Sequence, residues 1–165
     1  MQTAAEGRIV QVSLSRGGAP KLPVDVARVT SEGIVGDLHV DTQNHGGPLR
    51  ALCLFTREEI ERLASEGHPI FPGAAGENVT LSGIALESLT PGTRLALGDA
   101  VLIEVTQYTT PCKGIAEAFS DKDFTRISQK LHPGESRVYA KVLQAGELRA
   151  GDIARVVAAG ATPCV

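Results

Sequence analysis

Two stretches of this chain repeat one short design. GTRLALGDAVLIEVTQ (92–107) and GELRAGDIARVV (146–157) each run from a glycine through apolar positions to a Gly-Asp pair, then into alternating apolar and polar residues. Alternation with a period of two suits a strand with one buried face, and Gly-Asp suits the tight turn between paired strands. Each stretch therefore predicts a β-hairpin, one turning at Gly98-Asp99 and the other at Gly151-Asp152. The two are too short and too irregularly spaced to be units of a repeat architecture.

The same period recurs elsewhere. RIVQVSLS (8–15) alternates Val10, Val12 and Leu14 against polar partners, and VDVARVT (24–30) alternates again after the break RGGAPKLP. LRALCLF (49–55), VTLSG (79–83) and ESRVYAKVLQ (135–144) read as further strands. Between them lie two Gly-rich loops, EGIVGDLHVDTQNHGGP (32–48) and HPIFPGAAGEN (68–78). Loops of that length commonly carry function.

Helix signals are few. In TREEIERLASEG, Thr56 and Glu59 form a capping box, Ile60 and Leu63 an apolar stripe, and Gly67 suits the left-handed position after the last turn. TPCKGIAEAF (110–119) and DKDFTRISQKL (121–131) predict two more short helices, the second with Phe124, Ile127 and Leu131 on its apolar face. The long helix–strand alternation of a doubly wound sheet is missing. The chain is expected to be mainly β with a few short helices, closed as an antiparallel or mixed barrel, in one domain spanning 1–165.

Composition narrows the function. With 165 residues and a net charge of −3, the chain has size for one core and no basic surplus of the kind nucleic acids or anionic membranes attract. No Trp and 4% aromatic residues argue against a base-stacking surface. No apolar run approaches the roughly 20 residues that span a bilayer. MQTAAEGR lacks a signal-peptide layout, and three dispersed cysteines form no disulfide framework, so a reducing cytoplasm is the expected setting.

The chemistry centres on Cys112. Thr110, Pro111 and Cys112 fit N-cap, N1 and N2 of the following helix, which would place the sulfur among unpaired amides in the first turn. Such a setting, with Lys113 adjacent, favours a thiolate able to attack an electrophile, carry sulfur or ligate a soft metal. The plainer alternative is a small buried hydrophobe. Cys53, inside ALCLF, reads as core, and Cys164 as an exposed tail thiol. The loop NHGGPLRA supplies His45, Gly46, Gly47 and Arg50: glycines for close backbone approach, an arginine fork for phosphate or carboxylate. PGAAGENVT supplies Glu77 and Asn78 at a loop–strand junction. Each set has an ordinary turn reading beside the binding one. His39 and His45 with Asp37 and Asp41 match no compact zinc spacing, and no nucleophile elbow, phosphate loop or dinucleotide fingerprint is present.

The order Gly36-Asp37 with His39, His45-Gly46-Gly47-Pro48 with Arg50, Gly76-Glu77-Asn78, Gly98-Asp99 and Pro111-Cys112 resembles the MOSC domain family, named for the C-terminal domain of molybdenum cofactor sulfurase. RVYAKVLQAGELRAGD (137–152) is similar to the family's closing strands, so the likeness covers roughly 8–157. The resemblance implies a MOSC-type β-barrel that binds the molybdenum cofactor and reduces N-hydroxylated small molecules, with Cys112 as molybdenum ligand or sulfur-carrying thiol. No flavin, haem or iron–sulfur motif is present, so an oxidoreductase here is expected to need an external reductase. The resemblance implies Arg50, Asn78 and neighbouring loop groups, with His45, Gly46, Gly47, Glu77, Thr109 and Lys113, as the residues that hold the cofactor. Close small relatives carry an arginine shortly before the Pro-Cys, where this chain has Tyr108-Thr109-Thr110, so the anion contact expected there falls to Lys113 or is absent. No aminotransferase-like region is present, and no lysine is assigned to pyridoxal phosphate. Two other functions remain open at this point: a carrier that takes persulfide sulfur from a donor on Cys112, and a barrel that binds a small molecule without catalysis.

Overall fold

The computed structural model describes residues 5–38 and 47–160. Its strands are β1 (Glu6–Leu14), β2 (Leu22–Pro23), β3 (Ala27–Thr30), β4 (Gly33–Ile34), β5 (Leu52–Thr56), β6 (Val79–Ser82), β7 (Arg94–Leu97), β8 (Val101–Tyr108), β9 (Val138–Gln144), β10 (Gly146–Leu148) and β11 (Ile153–Ala158). One α-helix, α1 (Arg57–Ser65), follows β5, and short 3-10 turns fill several connections.

Seven strands close into a barrel in the order β11-β7-β8-β9-β5-β6-β1, with β1 pairing back to β11 and β2 added beside β1. Every neighbouring pair in this ring is antiparallel except β5–β6, which is parallel. A parallel pair needs a crossover, and α1 provides it, packing on both strands. The outlying strands β10-β3-β4 form a separate small sheet. Closure removes exposed edges, the standing liability of a sheet protein. The interior is filled by alternate residues such as Leu54, Leu81, Leu95, Ile103 and Val138, all fully buried.

Helix α1 begins as its sequence predicts. The Thr56 side chain accepts from the Glu59 amide at 3.3 Å, Ile60 and Leu63 are buried, and Gly67 takes a φ of 100°. In β1 the alternation is shifted: Ile9 and Val12 are buried, while Val10 and Leu14 are only partly so. The pairing with β6 slips between Ile9 and Gln11, and an extra residue in a strand reverses which face later side chains take. Periodicity alone does not reveal such a bulge.

The first hairpin forms as expected, β7 and β8 pairing from Arg94↔Glu104 to Leu97↔Val101 across the Gly98-Asp99 turn. The second does not. β10 pairs with β3, whereas β11 pairs with β7 and β1. The Gly151-Asp152 turn instead docks on β1, with the Ile9 amide donating to Asp152 O at 2.8 Å and the Gly151 amide to Ile9 O at 2.7 Å. The same motif thus closes the barrel rather than a hairpin. Across the seam the Gly98 amide donates to Ile153 O, and a Cβ on Gly98 would meet the Asp152 carboxyl at 2.9 Å.

The two short helices after β8 are 3-10 turns, Lys113–Ala118 and Phe124–Ile127. Ile115 and Ala118 are buried at a spacing of three, the period at which a 3-10 turn presents one face. The second turn ends at Ile127, so Leu131 lies beyond it and is exposed.

A cation-lined cavity beneath Cys112

The starts of β5 and β9 converge with the segments 18–21, 75–78 and 112–115 around a cavity of about 430 Å³. That volume lies within the usual range for small-molecule sites. Arg50, Cys53, Asn78, Cys112 and Lys113 line it, together with Lys21, Arg137 and Tyr139. Lys21, Arg50, Lys113 and Arg137 are its charged lining, and no aspartate or glutamate lines it among the described residues. Of these, Lys21 is paired with the Asp37 carboxylate at 2.6 Å, which offsets its charge.

Cys112 is exposed and in extended conformation, φ −140° and ψ 171°, as the N-cap of the Lys113–Ala118 turn. The expected position inside the first turn of an α-helix is therefore corrected. Pro111 leaves Cys112 one residue short of the turn, so its thiol is presented by loop geometry and cavity exposure. Gly114 sits against it, and a Cβ there would lie 3.5 Å from Sγ. Gly114→Val is expected to shield the sulfur, lowering its alkylation rate by iodoacetamide several-fold with little change in the melting curve. An unchanged rate would show that Gly114 does not control access to the thiol.

The wall opposite is built from strand pairing. Cys53 and Tyr139 are register partners on β5 and β9, and both are 5% exposed. Burial raises the pKa of the Cys53 thiol, as its core reading implies. The Tyr139 phenol is also pushed well above its usual value, chiefly by burial and then by the nearby Cys53, so it stays protonated and able to donate. Arg137 and Tyr139 lie two apart, on one face, while Val138 and Ala140 between and beyond them are fully buried in the core.

Asn78 is committed to holding the loops. Its Oδ1 accepts from the Cys53 amide at 3.0 Å, and its Nδ2 donates to Ser13 O at 3.2 Å and to Asp37 Oδ2 at 2.9 Å. Asp37 also takes the Lys21 ammonium at 2.6 and 2.8 Å and the Ser15 amide at 2.9 Å. This buried network fixes the root of the Gly-rich loop against β1 and β6.

Of the residues proposed from sequence, Arg50, Asn78, Cys112 and Lys113 are brought together at the cavity. Glu77 and Thr109 are buried behind its wall. The Thr109 amide donates to Arg137 O at 3.0 Å, and its carbonyl accepts from Ser136 Oγ, joining the end of β8 to the start of β9. The Glu77 carboxyl accepts from Thr80 Oγ1 at 3.0 Å, and its Oε1 has no hydrogen-bond partner. Burial raises its pKa, against the pull of the Gly73 and Glu77 amides and of Arg137. Gly47 is the exposed N-cap of the 3-10 turn Pro48–Arg50. His39, Asp41, His45, Gly46 and Cys164 lie outside the described residues. Lys21, Arg137 and Tyr139 were not singled out from the sequence. For the last two the signal was present, an Arg and a Tyr at strand spacing in RVYAKV.

The model of the MOSC domain family matches residues 41–155. The YflK protein of Bacillus subtilis is 32% identical over 123 residues, covering 73% of this chain and 53% of that protein. The YiiM protein of Escherichia coli is 32% identical over 114 residues, 66% of this chain and 50% of the relative. A protein of Gibberella moniliformis named a reductase is 28% identical over 127 residues, 74% of this chain but 22% of its own length. The chain thus spans about half the length of the first two relatives. Among solved structures, the YUAD protein of Bacillus subtilis superposes with a TM-score of 0.74 at 21% identity, covering 94% of this chain and 98% of that one, which is a likeness of fold. Among the described residues, no helix is long and apolar enough to cross a membrane.

Proposed function

The chain belongs to the MOSC domain family, and from that membership we propose that it binds the molybdenum cofactor with Cys112 as metal ligand and reduces N-hydroxylated small molecules. The observation that carries this reading is an exposed thiol at a cavity whose charged lining is wholly cationic among the described residues.

The chain's own groups fit such a cofactor. Among the described residues, no group of three or more His, Cys, Asp or Glu side chains could hold a metal, so Cys112 is the metal-binding side chain proposed here. A soft sulfur donor suits a metal that must be stable in its reduced state. Arg50, Lys113 and Arg137 supply positive charge for an anionic cofactor, and Gly18, Gly76 and Gly114 leave backbone open along the same lining. Bound there, the cofactor would supply the two-electron reduction of an N–O bond. The protein would orient the substrate against Ala19, Leu38 and Ile115. The reduction needs an electron donor, for which we propose a separate reductase domain or protein. The fungal relative named a reductase is compatible with this chemistry.

The test is direct. Protein from a host that makes the cofactor, given reduced viologen dye and an N-hydroxylated base, is expected to consume the base, and Cys112→Ser to fall to background. Equal turnover by the two proteins would reject the role of Cys112.

A further inference from the structure

His68 ties the end of α1 to the end of the segment that carries Cys112. Its backbone amide donates to Leu63 O at 3.3 Å, and its side chain is 8% exposed. The ring meets Phe119 edge-on, centroids 5.3 Å apart at 71°, and Phe119 is fully buried. The Ser120 amide donates to His68 Nδ1 at 3.2 Å. A backbone N–H can only donate, so Nδ1 is an acceptor here and the ring is neutral. Between this contact and Cys112 lies the Lys113–Ala118 turn. The turn is held by two 3-10 bonds, Ile115 N to Cys112 O and Phe119 N to Ala116 O, both 3.1 Å. A displacement of Phe119-Ser120 therefore reaches the thiol through one short turn.

Histidine changes charge between about pH 5 and pH 8. A proton on Nδ1 would face the Ser120 N–H with a second donor, and that amide would lose its acceptor. Ser120 Oγ lies 3.4 Å from the same nitrogen and can accept from it instead. The neutral ring thus holds the Ser120 backbone, whereas the charged ring holds only the hydroxyl. The charged groups around the ring favour neither state strongly. Glu66 Oε1, at the end of α1, is 3.7 Å from Nε2. That carboxylate is already gripped by Arg126 at 2.9 and 2.7 Å and reached by Arg62 at 3.4 Å, so a further cation gains little from it. Beyond Ser120, Lys122 pairs with Glu117 at 2.6 Å, and Asp121 accepts from the Asp123 amide at 3.0 Å.

We propose that His68 is a proton-operated latch on the Cys112 segment. Neutral, it holds the Ser120 amide and fixes the Lys113–Ala118 turn; protonated, it releases that amide, lets the turn shift and opens access to the thiol. The latch goes beyond the cofactor reading, since it governs access to Cys112 whether or not a cofactor is bound.

The experiment compares iodoacetamide labelling of Cys112 in wild-type and His68→Asn protein at about pH 8 and about pH 5, the span over which histidine charges. Asparagine Oδ1 keeps an acceptor close to the place of Nδ1 and takes no proton there. Labelling is read by mass spectrometry on the Cys112 peptide. At each pH the ratio of wild-type to variant rate cancels the ionisation of the thiol itself. That ratio is expected to rise several-fold from the higher pH to the lower. A ratio that is the same at both would overturn the latch. Should His68→Asn fail to fold, nitrogen-15 spectra of the wild type decide. The Ser120 and Gly114 amides should then titrate with the same midpoint as the His68 ring. A Gly114 amide that ignores the His68 titration overturns the proposal.

Discussion

Lys21→Met is expected to lower stability by about 3–5 kcal/mol, the usual loss when one partner of a buried ion pair is removed. The Lys21 and Asp37 side chains are 7% and 1% exposed, so solvent screens the pair little. With the ammonium gone, the Asp37 carboxylate still has the Ser15 amide and the Asn78 amide group, but it loses its buried counter-charge. The effect should appear as a lower midpoint in urea at unchanged slope. Lys21→Met combined with Asp37→Leu should recover part of the loss, because the unpaired charge is then removed too. Recovery should be incomplete, since Asn78 Nδ2 and the Ser15 amide lose an acceptor. Both residues belong to the cavity's support, so the single variant should also weaken the proposed cofactor binding. An unchanged midpoint in Lys21→Met would show that this network does not hold the loop root.

The legible parts of the fold were those set by local chemistry. Thr56, Glu59 and Gly67 fixed the ends of α1 without reference to the rest of the chain, and the Gly98-Asp99 turn lies between strands that pair directly. The features that escaped were long-range. A Gly-Asp turn at 151–152 looks the same whether the flanking strands pair with each other or with β3, β7 and β1. Nor does periodicity reveal the bulge near Val10 that turns Ile9 inward, or the tightening of the turn after Cys112 from α to 3-10.

The site divides along the same line. Cys112, Lys113, Arg50 and Asn78 were singled out because they sit in unusual local sequence, and the fold brings these four to one cavity. Arg137 and Tyr139 sit in an ordinary strand, and only the pairing of β9 with β5 and β8 reveals which side of the wall they face. Lys21 gave less signal still, since its partner Asp37 is supplied by a distant loop.

The largest functional effect is expected at Cys112. Serine keeps the size of the side chain but exchanges a soft, polarisable sulfur for a hard hydroxyl that is not ionised near neutral pH, a poor ligand for molybdenum. Because Cys112 is exposed at the end of a loop, the substitution should leave the melting curve nearly unchanged. Loss of metal would then report ligation rather than unfolding. The deciding measurement is molybdenum content by mass spectrometry, in wild-type and Cys112→Ser protein purified side by side from a host whose other molybdoenzymes are active. Near-stoichiometric molybdenum in the wild type and little in the variant is the predicted result. Equal molybdenum in both proteins, or none in either, would contradict the assignment of Cys112 as its ligand.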